Sequence, residues 1–100
     1  MPDSGNHKKT VLIVDNSLLI IDRLIGLIKE VTSVKRIFAA INFNEAIDIL
    51  KIKKTDIVLL DIKLPGENGI ELLKYIVKTY PGTKVVMLSN LVSKYYQRLC

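Results

Sequence analysis

Two carboxylates, an amide and a hydroxyl stand directly behind short apolar runs. Asp15 and Asn16 follow Val11-Leu12-Ile13-Val14, Asp61 follows Ile57-Val58-Leu59-Leu60, and Ser89 follows Val85-Val86-Met87-Leu88. Oxygen donors of this kind suit Mg²⁺, which prefers octahedral oxygen coordination and keeps several waters. A carboxylate beside the metal can attack a phosphoryl group and become an acyl phosphate. The metal would neutralise charge on the phosphoryl oxygens, and the Ser89 hydroxyl could donate a hydrogen bond to one of them. Each residue alone also has a plain structural reading. An Asp or Ser after a strand often caps the next helix or opens a turn. Asp61 stands apart, because Pro65, Gly66 and Gly69 build a tight loop beside it.

These residues do chemistry together only if the elements before them converge. The three runs are continuous, rich in β-branched residues and free of polar alternation, which marks strands buried on both faces. Val34 to Ala40 reads as a further, shorter strand. Between the strands lie amphipathic stretches. Leu18 to Val31 carries apolar residues at Leu18, Ile21, Leu24, Ile25, Ile28 and Val31, with Ser17 or Asn16 as its cap. A helix from Asn44 to about Lys53 follows, with Ala46, Ile47, Ile49 and Leu50 apolar. Ile70 to Tyr80 places Leu72, Leu73, Ile76 and Val77 inward and stops at Pro81-Gly82. Val92 to Leu99 begins a last helix. Strand and helix alternate four times, which predicts an α/β fold with a doubly wound parallel sheet. In such sheets ligands bind beyond the carboxyl ends of the strands, so Asp15, Asp61 and Ser89 should share one edge.

These segments resemble a response-regulator receiver domain of two-component signalling. The resemblance is carried by Val11 to Ser17, by Asp56 to Gly69 and by Val85 to Asn90. Its most specific part is the apolar strand into Asp61, with Pro four and Gly eight positions on. It implies a flavodoxin-like receiver fold, whose family strand order 2-1-3-4-5 would here read 2-1-3-4. It also implies roles. Asp61 matches the phosphoacceptor, Asp15 the first acid of the metal-holding pair, and the Lys63 backbone carbonyl a third metal contact. Ser89 matches the hydroxyl that senses the phosphoryl group. The implied cofactor is Mg²⁺, and the implied donor is a histidine kinase or phosphotransfer protein.

Three departures from the family pattern matter. Asn16 stands where the family usually has a second acid, so the metal would meet two negative charges, on Asp15 and Asp61, instead of three. The fifth strand, the fifth helix and the lysine after that strand have no match, and Lys94 falls in the last helix. Without those elements the fourth strand would be an exposed edge, and Leu19, Ile20 and Leu27 of the first helix would partly face water. That predicts a shortened chain, or one that completes its sheet by pairing with another copy. The expected division is a polar tail over residues 1–9 and a C-terminally incomplete receiver domain over 10–100.

Rival readings make different demands. A haloacid-dehalogenase-type phosphatase also uses an Asp after a parallel strand, but needs a second Asp two residues on, where Lys63 stands. A receiver-like interaction module that never takes phosphate fits Asn16 and the missing lysine, but not the intact Asp61 loop. Direct nucleic-acid binding would need a second basic helical module.

Composition bounds the rest. The chain has 100 residues, 49% hydrophobic and 25% charged, which fits one globular domain and not a disordered chain. No apolar run is long enough to span a membrane, and the first residues lack the apolar core of a secretory signal. A single cysteine, Cys100, forms no internal disulfide, so a reducing cytoplasm is the expected location. The net charge of +5 comes from scattered residues. The densest group, Lys51, Lys53 and Lys54, reads as a solvated helix end. His7, Tyr95 and Tyr96 read as ordinary surface or packing residues.

Overall fold

A computed structural model describes residues 8–61, 63–64 and 69–88. Seven elements alternate along the chain: β1 (Lys9–Val14), α1 (Leu18–Ile28), β2 (Val34–Ala40), α2 (Phe43–Ile52), β3 (Ile57–Leu60), α3 (Gly69–Thr79) and β4 (Lys84–Met87). The four strands form one sheet in the order β2-β1-β3-β4, and every pair is parallel. The expected doubly wound α/β fold and the 2-1-3-4 order are both present. The predicted last helix and Ser89 lie outside the described residues.

The central strands β1 and β3 carry the uninterrupted apolar runs Val11 to Val14 and Ile57 to Leu60 because both faces of the sheet are covered there, whereas β2 at the edge carries Lys35 and Arg36 in solvent. Leu12 and Val14 of β1 and Val58 and Leu60 of β3 point to one side, where Ala46 and Leu50 of α2 and Leu72 and Ile76 of α3 meet them. Val11 and Ile13 point to the other side, against Ile21 of α1, with Leu24, Ile25 and Ile28 around them. Successive residues of a strand face opposite ways, so two covered faces leave no polar position.

The first two helices start at identifiable caps. The Ser17 side chain accepts from the Ile20 N–H at 3.2 Å and opens α1. Asn42 accepts from the Glu45 N–H at 2.8 Å, and the Glu45 carboxylate accepts in return from the Ile41 N–H at 3.0 Å. This reciprocal pair opens α2 close to the pattern of a capping box.

Several boundaries and faces differ from the sequence reading. β1 begins at Lys9, one residue inside the stretch read as tail, because the Lys9 N–H reaches the Ser33 carbonyl at 2.7 Å. α1 stops at Ile28. The chain then takes two tight turns, Val31 N–H to Ile28 O and Val34 N–H to Val31 O, which leave Val31 in solvent instead of on the helical stripe. Leu18, in the first turn of α1, is also exposed. Val77 is 58% exposed instead of buried. The stripe of α3 that meets the sheet is narrow, Gly69, Leu72 and Ile76, and Val77 lies about 100° round the helix from Ile76.

Candidate functional site

The register of the two central strands builds the site. Val14 of β1 stands beside Leu60 of β3, so the next residue on each strand, Asp15 and Asp61, leaves the sheet at the same edge. The pairing continues one step, because the Asp61 N–H donates to the Val14 carbonyl at 2.8 Å. Neighbouring strands run about 4.8 Å apart, so the two carboxylates leave the backbone side by side. The Asp15 N–H donates to the Ala40 carbonyl at 3.1 Å, which fixes that end of β1 to β2 as well.

Each carboxylate is held in the same way. Asp15 Oδ1 accepts from the Ser17 N–H at 2.8 Å, and Asp61 Oδ1 accepts from the Lys63 N–H at 2.9 Å. Both are turns in which an Asp side chain binds the backbone two residues ahead. They occupy one oxygen of each carboxylate. Among the described residues, neither Oδ2 receives a hydrogen bond. The sequence named Asp15, Asp61 and Lys63, but not the two backbone N–H groups that orient the acids. The signal for them was the tight turn after each strand.

Electrostatics make this pair costly as it stands. Asp15 is 6% exposed and Asp61 8%. Burial pushes the Asp15 carboxyl above its usual value. The Ser17 N–H opposes that shift, and the negative charge of Asp61 adds to it. A cation between the two carboxylates would offset that cost for Asp15. The donor set fits Mg²⁺: oxygen only, with an outer oxygen on each of two carboxylates. Asn16 follows Asp15 in the chain with an exposed side chain, and Lys63 sits on the turn behind Asp61. Among the described residues, no three His, Cys, Asp or Glu side chains converge as a metal cluster. Beside Asp15 in the chain stands the amide of Asn16 and not a third acid. Ser89, Pro65 and Gly66 lie outside the described residues, so the structure joins Asp15 and Asp61 and leaves those three unplaced.

Known proteins resemble this chain in sequence and fold. A family profile described as the response regulator receiver domain matches residues 11–98. The chain is 36% identical over 83 residues to a protein-glutamate methylesterase/protein-glutamine glutaminase of Desulfotalea psychrophila, covering 83% of this chain and 23% of that protein. It is 38% identical over 68 residues to the sensory transduction protein LytT of Bacillus subtilis, covering 68% of this chain and 28% of that one. The chain thus spans roughly a quarter of the length of these curated relatives. Among solved structures, the signal receiver domain of an HD domain-containing protein from Pseudomonas fluorescens Pf-5 superposes with a TM-score of 0.75 and 26% identity, over 81% of this chain and 58% of that one. The MaeR response regulator bound to beryllium trifluoride superposes at 0.77 with 22% identity, over 91% of this chain and 76% of that one.

Proposed function

The chain belongs to the response regulator receiver domain family of two-component signalling, and from that membership we propose that it accepts a phosphoryl group on Asp61 in a Mg²⁺-dependent reaction. The observation that carries the proposal is the pair of buried carboxylates, Asp15 and Asp61, each tied through Oδ1 with Oδ2 left over.

The residues divide the work. Asp61 is the proposed nucleophile because it matches the phosphoacceptor position of the family, and its turn to Lys63 fixes the carboxylate while one oxygen stays outside that bond. The donor is the phosphohistidine of a histidine kinase or phosphotransfer protein. The new P–O bond forms to Asp61 as the P–N bond breaks, and the electron pair stays on the departing imidazole nitrogen. Asp15 and Asp61 would hold the metal, with the Asn16 amide oxygen and the Lys63 carbonyl as further donors. Bound there, Mg²⁺ supplies positive charge to the phosphoryl oxygens in the transition state. Ser89 is the proposed hydrogen-bond donor to the transferred group. The beryllium trifluoride on the related MaeR fold supports this reading by analogy alone, since beryllium trifluoride imitates a phosphoryl group.

Among the described residues no helix is long and apolar enough to cross a membrane. That agrees with the cytoplasmic location proposed for a partner of kinases.

The test is intact mass after incubation with acetyl phosphate and Mg²⁺. One phosphoryl adduct is expected on the native chain and none on Asp61→Asn. No adduct on the native chain under forcing conditions points instead to an interaction module that never takes phosphate. An adduct that persists in Asp61→Asn removes Asp61 as the acceptor.

Asn16 gives a second test. Adding a third negative charge beside the metal, Asn16→Asp should tighten Mg²⁺ binding roughly tenfold. Equal affinities in a calorimetric titration would show that Asn16 is not a ligand.

A further inference from the structure

We infer that the outer face of α1 is a docking surface for a second copy of this chain, with the two α1 helices antiparallel and crossing between Gly26 and Leu27. The inference is independent of phosphoryl transfer. α1 meets the sheet through Ile21, Leu24, Ile25 and Ile28. Successive helical residues turn by about 100°, so Leu19, Arg23, Gly26, Leu27 and Glu30 lie on the side away from that stripe, Glu30 by continuing the spiral just past the helix end. Leu19 is 59% exposed and Leu27 71%. Both leucines are thus open to water and available to a partner.

Three features choose a second copy as the occupant. First, a Cβ placed on Gly26 would meet nothing within 4 Å, so another backbone can approach there. Leu27 beside it is a large side chain that fits over Gly26 of the second copy when the axes cross at this point. Second, Arg23 and Glu30 are exposed, and among the described residues neither makes a salt bridge. With the crossing between residues 26 and 27, an antiparallel arrangement sets Arg23 opposite Glu30 of the second copy. Symmetry then makes the pair twice. Third, that pattern is self-complementary, as a two-fold interface requires, because the same face supplies both the cation and the anion. A parallel arrangement would set like charges beside each other.

The experiment is sedimentation equilibrium of the full chain, from micromolar to millimolar concentration, at low and moderate salt. The native chain should form dimers that weaken as salt rises. Arg23→Glu should weaken association about tenfold, because two attractions become two repulsions. Glu30→Arg should do the same, and the double variant should restore it. Gly26→Leu should keep or raise the melting temperature, since Gly is a poor helix former, yet abolish the dimer. That separates a blocked interface from a damaged fold. A native chain that stays monomeric at millimolar concentration overturns the inference. So does an association that Gly26→Leu or Arg23→Glu leaves unchanged, or one that the double variant fails to restore.

Discussion

Replacing Leu72 by Ala should destabilise the domain by about 3 kcal/mol and lower its melting temperature by roughly 15 °C. Leu72 is fully buried on α3, in the cluster that joins Val14 of β1, Leu60 of β3 and Leu50 of α2. Truncation there loses the transfer free energy of the removed atoms and leaves a cavity bounded by three elements. These cannot collapse together without moving the sheet. Small domains are typically stable by only about 5–15 kcal/mol, so the loss is a large share of the total. Val77→Ala, five residues on in the same helix, should change stability by less than about 0.5 kcal/mol, because Val77 already faces water. Denaturant unfolding of the two variants side by side checks both values. A comparable loss in Val77→Ala would mean that α3 is rotated from the orientation described.

Asp15→Asn should move stability and function in opposite directions. Burial and the neighbouring charge of Asp61 raise the Asp15 carboxyl above its usual value. A carboxyl raised in the folded state is unfavourable while ionised. Its cost is therefore fully present above its folded value, shrinks as the pH falls from there toward the ordinary carboxylate value near 4, and is absent below it. An asparagine removes that cost, and its amide oxygen can still accept from the Ser17 N–H. The variant should gain on the order of 1 kcal/mol at neutral pH without metal. The gain should vanish as the pH falls below about 4, because native Asp15 is then protonated as well. The same variant loses one of the two charges that would hold Mg²⁺, so phosphoryl acceptance should fall on the order of 100-fold. Thermal unfolding from acid to neutral pH, with adduct formation measured in parallel, checks both halves. A variant less stable at neutral pH would show that Asp15 supports the empty fold instead of straining it.

The fold was legible in the sequence because the two central strands are covered on both faces. Ile57 to Leu60 and Val11 to Val14 have no polar residue to blur their limits, and helices of clear period separate them. Both site acids could be read from the same pattern, since each is the first polar residue after such a run. What escaped was what period alone cannot carry. Leu18, Val31 and Val77 are apolar yet exposed, because apolar type shows what a residue tolerates and not where the covering element ends. The helix expected from Asn44 begins at Phe43 behind the Asn42 cap, and Glu45 three residues beyond Asn42 is the signature of that start. The Ser17 and Lys63 N–H groups that hold the acids belong to the backbone, and no residue type announces them. Asn16 is visible in the sequence as a departure from the family pattern.

The central claim is that Asp15 and Asp61 share one divalent cation at the carboxyl edge of β1 and β3. Titration of the isotope-labelled chain with Mn²⁺, a paramagnetic stand-in for Mg²⁺, tests it most directly. The amide signals of Asp15, Asn16, Asp61 and Lys63 should broaden first and together, excess Mg²⁺ should restore them, and Asp15→Asn should abolish the effect. Broadening that begins at surface acids such as Asp22 or Glu30, or that survives the loss of Asp15, would contradict the shared site.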